Sequence, residues 1–184
     1  MAAKEFDVVV VGAGILGMSS AYHLQKNNPK KRILVLDRFG GAGQGNTGRS
    51  NAMFRNTFTS SDNQTLSDTT ISFYLHLQVN QNQDLGLEQI GYLWLMSERQ
   101  LAANERHVEG MVRNKIEIRE YGKRELEQLV PGIRTEFGES EEEAKILKLD
   151  RVAGSIFGVK CRRLDPDRLI EFYRDRFIGM GGTV

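Results

Sequence analysis

The chain is 184 residues long, enough for one sizeable core or for one domain with a second element inserted. Its 25 Lys and Arg stand against 24 Asp and Glu, a net charge of +1, so no basic field points to a nucleic acid or an anionic membrane surface. A single cysteine, Cys161, cannot form an internal disulfide; this usage suits a reducing compartment, and a cytoplasmic protein is expected. The opening stretch from Met1 to Gly17 has only a short apolar run broken by glycines, with neither a signal-peptide core nor a bilayer span.

Phe6 to Val11 is a β-branched run that reads as a buried parallel strand. Ile15 to Lys26 reads as a helix: Ile15, Met18, Ala21 and Tyr22 recur at helical spacing, and Asn27, Asn28 and Pro29 end the pattern. Ile33 to Asp37 reads as a second buried strand. Strand, helix and strand within about thirty residues have the size of a βαβ unit, which predicts an α/β fold with a parallel sheet. Gly40 to Ser50 is polar and glycine-rich, the composition of a loop that lets backbone approach a ligand.

Helical spacing returns from Ser61 to Val79, with Leu66, Thr70, Phe73 and Leu77 on one face and Ser61 or Asp62 as the cap. Tyr92 to Met96 predicts a strand apolar on both faces, followed by a charged helix from Glu98 to Lys115 and a short strand from Ile116 to Arg119. The acidic run at 139–143 reads as a solvated loop or helix start. Asp165 and Pro166 predict the cap and first residue of a helix carrying Leu169, Ile170, Tyr173 and Phe177 on one face, which Gly179, Gly181 and Gly182 stop. The last residues fall where an α/β protein begins its next strand, and the chain is expected to be the front part of a longer protein.

One motif carries chemistry. Gly12-Ala13-Gly14-Ile15-Leu16-Gly17 follows a predicted strand and opens a helix. In such a Rossmann-type fingerprint the first glycine permits the tight turn, the second admits a pyrophosphate and the third lets helix pack on strand. The helix N-terminus offers free amides to the phosphates. Asp37 falls about twenty residues on, at the end of the second strand, where a carboxylate accepts from ribose hydroxyls. The motif grips the adenosine and pyrophosphate that FAD and NAD share, so an NAD-dependent enzyme stands beside a flavoprotein at this point; Asp37 disfavours a 2′-phosphate.

The segment from Leu36 to Arg55 resembles the corresponding stretch of the D-amino-acid oxidase and sarcosine oxidase superfamily of FAD-dependent enzymes, with the flavour of heteromeric sarcosine oxidase β subunits and amino-acid dehydrogenases. Gly91 to Met96, Leu126 to Gly132 and Arg163 to Leu169 are similar to recurring family segments. The resemblance implies an incomplete Rossmann-like FAD-binding domain from residues 1–90 and 160–184, with the beginning of an α+β substrate domain, 91–159, inserted. It places Gly12, Gly14, Ile15, Leu16 and Gly17 at the FAD pyrophosphate and Asp37 on the adenosine ribose. Arg38 would lie near the adenine end, with Asn46, Thr47, Gly48, Arg49 and Ser50 running along the phosphates toward the isoalloxazine.

Arg55 matches the second arginine of an Arg-x-x-Arg pair that meets the substrate carboxylate in monomeric sarcosine oxidases; the first position here is Ala52. Some relatives attach FAD through a histidine in this loop, and residues 40–50 hold none, so non-covalent FAD is expected. His23, His76 and His107 lie on three predicted helices without metal-ligand spacing, and no metal site is expected. Cys161 reads as a small core residue, and no general base is identifiable. The resemblance implies oxidation of a C–N bond in a small amine or amino acid by hydride transfer to flavin, with a homo-oligomer or further subunits as partners. A non-catalytic isolated dinucleotide-binding piece is the other alternative.

Overall fold

The computed structural model describes residues 5–138 and 141–184. It is a mixed α/β structure whose chain divides into two compact units, one of residues 1–53, 74–88 and 163–184, the other of residues 54–73 and 89–162. Three two-residue strands, β3 (Met53–Phe54), β4 (Glu88–Gln89) and β8 (Arg162–Arg163), fall where the chain passes between units. None of the three is long enough to show a period of two in the sequence.

In the first unit β1 (Val8–Val11) and β2 (Ile33–Leu36) run parallel in the register Val8↔Ile33 to Val11↔Leu36, joined by α1 (Ile15–Asn27). Thr183 adds a third parallel bridge beside β2, its carbonyl accepting from Val35 N at 2.8 Å and its amide donating to Ile33 O at 3.0 Å. Val10 lies on the face that α1 covers, beside Gly17, whereas Val9 and Val11 are 49% and 86% exposed. The two strands are thus half-buried, with one apolar face open, rather than buried on both faces as their composition predicts.

Helix α6 (Pro166–Gly179) begins as expected: the Asp165 carboxylate accepts from Asp167 N at 2.9 Å and Arg168 N at 3.3 Å, and proline at the first helical position has no amide to leave unpaired. It packs on α1 through rings, with Tyr22 5.9 Å from Phe172 and 5.4 Å from Tyr173 between centroids. Phe177 beneath them is fully buried.

The second unit is built on an antiparallel sheet of β5 (Tyr92–Met96), β7 (Gly154–Gly158) and β6 (Ile118–Gly122), with β7 in the middle. Strand β6 starts two residues later than predicted, because Ile116 turns inward to the core while Ile118 takes up the pairing. Helix α3 (Glu98–Arg113) lays Val108 and Met111 on Ile156, Trp94 and Met96. Its start is fixed by the Gln100 side chain, which accepts from Ser97 N at 2.9 Å. Of two short helices, α4 (Lys123–Leu129) was not foreseen, whereas α5 (Glu142–Ile146) starts in the acidic run read as a loop or helix start, with Glu142 and Glu143 in its first turn; residues 139–140 lie outside the described residues.

Helix α2 (Ser61–Leu75) crosses between the units and continues as a π-helical turn, His76–Asn80. Its cap is Ser60, one residue before the expected pair, whose hydroxyl accepts from Asn63 N at 3.5 Å. Only the C-terminal half of the predicted apolar face is covered: Leu66 is 68% exposed and Thr70 exposed, Phe73 is half-buried and Leu77 buried, and Ile71, outside that face, is buried as well. The wider turn from His76 breaks the 3.6-residue period that linked Leu77 to the residues before it. Among the described residues no helix is long and apolar enough to cross a membrane.

Truncating the fully buried Phe177 leaves a ring-sized void beside Gly182. Phe177→Ala is expected to cost about 3–5 kcal/mol, read as a lowered urea midpoint, whereas Leu66→Ala should stay within about 0.5 kcal/mol.

Candidate functional site

The site in the first unit is assembled at the junction of β1 and α1. Gly12 takes φ +104°, a conformation that side-chain-bearing residues rarely adopt, and its amide donates to Leu36 O at 2.7 Å, keeping the turn on the β ladder. A Cβ placed on Gly17 would lie 1.8 Å from the Gly12 carbonyl oxygen, so only glycine lets α1 start this close to the strand. Gly14 is the N-cap, without a side chain to shield the helix end. The amides of Ile15, Leu16 and Gly17 therefore open the helix with no intrahelical acceptor.

Two side chains distant in sequence reach amides of this turn and helix start. Asp37 Oδ2 accepts from Ala13 N at 2.6 Å, and its Oδ1 accepts from Phe39 N at 2.9 Å. The Ala13 amide first, then that of Phe39, hold the Asp37 carboxyl below the usual carboxylate range, with the Arg38 charge assisting. Thr47 Oγ1 accepts from Ile15 N at 3.0 Å and sits 3.2 Å from where a Gly14 Cβ would be. The loop carrying Thr47 is tied to the turn by Gly43 N donating to Ala13 O at 2.9 Å and folds on itself through Gly48 N donating to Gly43 O at 2.8 Å.

This arrangement fits the pyrophosphate and ribose of a dinucleotide. The helix end offers donors and a positive dipole, Thr47 brings a hydroxyl to the same place, and each Asp37 oxygen keeps a lone pair for a ribose hydroxyl. The structure therefore brings Gly12, Gly14, Ile15, Leu16, Gly17, Asp37 and Thr47 together. Arg38 instead stacks its guanidinium on Phe39 at 4.8 Å, and Asn46, Gly48, Arg49 and Ser50 line the exposed outer part of the loop. Ser50 turns its hydroxyl back to accept from Ala52 N at 3.0 Å. Ala52, where the arginine pair lacks its first member, has φ +48°, a left-handed conformation that costs a residue with a β-carbon about 1–3 kcal/mol.

Arg55 belongs to the second unit. Its guanidinium lies over Phe58 at 5.1 Å and Trp94 at 5.8 Å, and it forms no ion pair among the described residues. It stands at a cavity of about 270 Å³ whose walls are Trp94 and Met96 from β5, Val108 and Met111 from α3, and Ile156 from β7. Asn104 and His107 of α3 add polar groups. Thr57, 8% exposed, also lines it; its hydroxyl finds no nitrogen or oxygen partner among the described residues, and the Cys161 thiol beside it is a weak one. The sequence reading missed His107 as a lining residue, although Asn104, His107, Val108 and Met111 share a helical spacing that marks one face. His23 packs edge-on against Tyr22 at 4.9 Å, His76 meets the Gln81 side chain, and Cys161 is buried.

A family model described as "FAD dependent oxidoreductase" (DAO) matches residues 7–184. The β subunit of sarcosine oxidase from Rhodobacter capsulatus is 30% identical over 129 residues, 70% of this chain and 31% of the relative. A bovine FAD-dependent oxidoreductase domain-containing protein 1 is 32% identical over 71% of this chain and 29% of its own length. Among solved structures, L-proline dehydrogenase from P. horikoshii shares the fold with a TM-score of 0.72 at 19% identity, covering 98% of this chain and 43% of that one. Glycine oxidase from Geobacillus kaustophilus gives 0.71 at 19% identity, covering 96% and 45%. The chain thus spans about a third of the curated relatives and under half of the solved ones. With the family model matched from residue 7 to residue 184, the chain belongs to the DAO family of FAD-dependent oxidoreductases.

Proposed function

We propose that this chain carries the adenosine and pyrophosphate half of an FAD site, in a protein that oxidises the C–N bond of an amino acid or secondary amine. The observation that carries the proposal is the meeting of Asp37 and Thr47 at the amides of Ala13 and Ile15, which fixes a carboxylate and a hydroxyl beside an open helix N-terminus. Bound FAD supplies the two-electron acceptor for the hydride that leaves the carbon beside nitrogen.

In this reading the chain's own groups bind and orient. The backbone amides of Gly14, Leu16 and Gly17 receive the phosphates beside the Thr47 hydroxyl that caps Ile15 N, and Asp37 receives the ribose hydroxyls. Arg49, exposed on the loop after Thr47, adds a charge-assisted contact to a phosphate oxygen. Arg55 holds the substrate carboxylate with the planar fork of its guanidinium, which suits a carboxylate better than an ammonium would. The first unit, with residues 54–73 grouped elsewhere, serves the cofactor, and the second begins the substrate domain. No histidine lies in residues 40–50, which supports non-covalent FAD. The sarcosine oxidase β-subunit relative supports a multi-subunit assembly for the whole protein.

The purified chain, incubated with excess FAD and gel-filtered, is expected to retain flavin absorbance; colourless protein from both this chain and a longer form containing it would overturn the proposal. Asp37→Asn keeps the shape but weakens acceptance from the ribose, and its FAD affinity should fall by about tenfold or more, the effect of losing one hydrogen bond to a charged group. Gly17→Ala should abolish retention, since α1 must move to make room.

A pH prediction follows from the Asp37 carboxyl. Because it titrates lower in the folded chain than in the unfolded one, its stabilisation is complete above about pH 3.9 and is lost as pH falls through the lower folded value. The gap in thermal midpoint between the parent chain and Asp37→Asn should therefore be constant from neutrality to about pH 4 and close below it.

A further inference from the structure

The cavity beside Arg55 has a wall that a carboxylate clamp alone does not require. The Arg55 guanidinium is held near the Phe58 and Trp94 rings, at 5.1 and 5.8 Å from their centroids, and no carboxylate pairs with it among the described residues. Beyond it the lining turns apolar, with Val108, Met111 and Ile156 buried. No aspartate or glutamate is among the residues lining the cavity, so a cationic side chain would find no counter-ion there. At about 270 Å³ the space holds a ligand of amino-acid size, below the roughly 300 Å³ at which pockets for larger small molecules begin. A ligand as small as N-methylglycine would leave most of it unfilled, forgoing about fourfold in affinity for each methylene not buried. The Thr57 hydroxyl, nine-tenths buried without a nitrogen or oxygen partner, gives a ligand oxygen a place to bind beside the cation.

We propose that this cavity selects the substrate by its side chain: an amino acid with a bulky apolar side chain, best a flat one, lying against Trp94, Met96, Met111 and Ile156 while Arg55 takes its carboxylate. The inference rests on the assignment of Arg55 as the carboxylate contact and adds the class of side chain. Trp94 and Met111 supply the surfaces for a ring, by offset stacking and by sulfur contact. Small substrates are disfavoured because they leave the apolar wall uncovered, and cationic ones because they bury a charge without a partner.

Trp94 is the only tryptophan in the chain and lines the cavity, so its fluorescence reads occupancy without flavin or turnover. The purified 184-residue chain is titrated with 3-phenylpropanoate, with its uncharged amide, and with acetate. Saturable quenching by 3-phenylpropanoate is expected, with binding of the amide and of acetate each about tenfold weaker or more. Arg55→Gln, at an exposed position that should leave folding intact, is expected to erase the difference between the acid and the amide. Met111→Phe, verified as folded by circular dichroism, should block the ring.

Equal binding of acetate and 3-phenylpropanoate overturns the side-chain assignment, and equal binding of acid and amide overturns the role of Arg55. No response to any probe from folded protein overturns the inference as a whole. Flavin retention is measured on the same sample: retained flavin with a silent Trp94 leaves the FAD assignment standing and removes this one, and a responding Trp94 in colourless protein leaves this one standing.

Discussion

Helix α1 can begin where it does because the α-carbon of Gly17 bears only hydrogens toward the Gly12 carbonyl; a methyl group there would sit 1.8 Å from that oxygen. This contact sets how close the helix start lies to the end of β1. With α1 seated, the Ala13 amide of the turn before it lies within reach of Asp37 from the end of β2, and the first helical amide, Ile15 N, within reach of Thr47 from the following loop. The glycine at position 12 supplies the left-handed turn that joins the two elements, and the ladder bond from its amide to Leu36 keeps both strand ends level. A cradle of this kind is thus made by close packing first and by polar side chains second.

The hydrogen bonds that close the cradle also define its charge. Asp37 remains an anion at neutral pH because two backbone amides, and secondarily Arg38, favour the charged form. An anion there repels a 2′-phosphate and accepts from hydroxyls, which is the discrimination an adenosine ribose calls for. In the second unit, Arg55 is a cation held near aromatic rings and left unpaired with carboxylates, and its setting invites an acid.

The βαβ unit and α6 were readable because their signals are local and redundant. A β-branched run, a fingerprint, a 3.6-residue period and a terminal acid all specify the same βαβ unit, and Asp165-Pro166 does the same for α6. What could not be read depends on partners far away in sequence. Leu66 and Thr70 have helical spacing, yet their end of the predicted face stays open while Ile71 turns inward, a choice made by tertiary packing. The two-residue strands carry no periodicity at all. At the site, the glycines and Asp37 were legible by type and spacing, but the bond from Ile15 N to the Thr47 hydroxyl spans 32 residues of sequence and has no pattern of its own. The cavity was hidden for a related reason: Trp94, Met111 and Ile156 look like ordinary core residues until β5, α3 and β7 are seen to leave a gap between them.

Strands β1 and β2 leave Val9, Val11 and Leu36 uncovered, with 49%, 86% and 50% of their surfaces open, on a chain whose net charge is only +1. An apolar ribbon on a nearly neutral body has little colloidal repulsion to keep copies apart. Arginine or mild detergent should then keep the chain dispersed better than added kosmotropic salt, which strengthens apolar association.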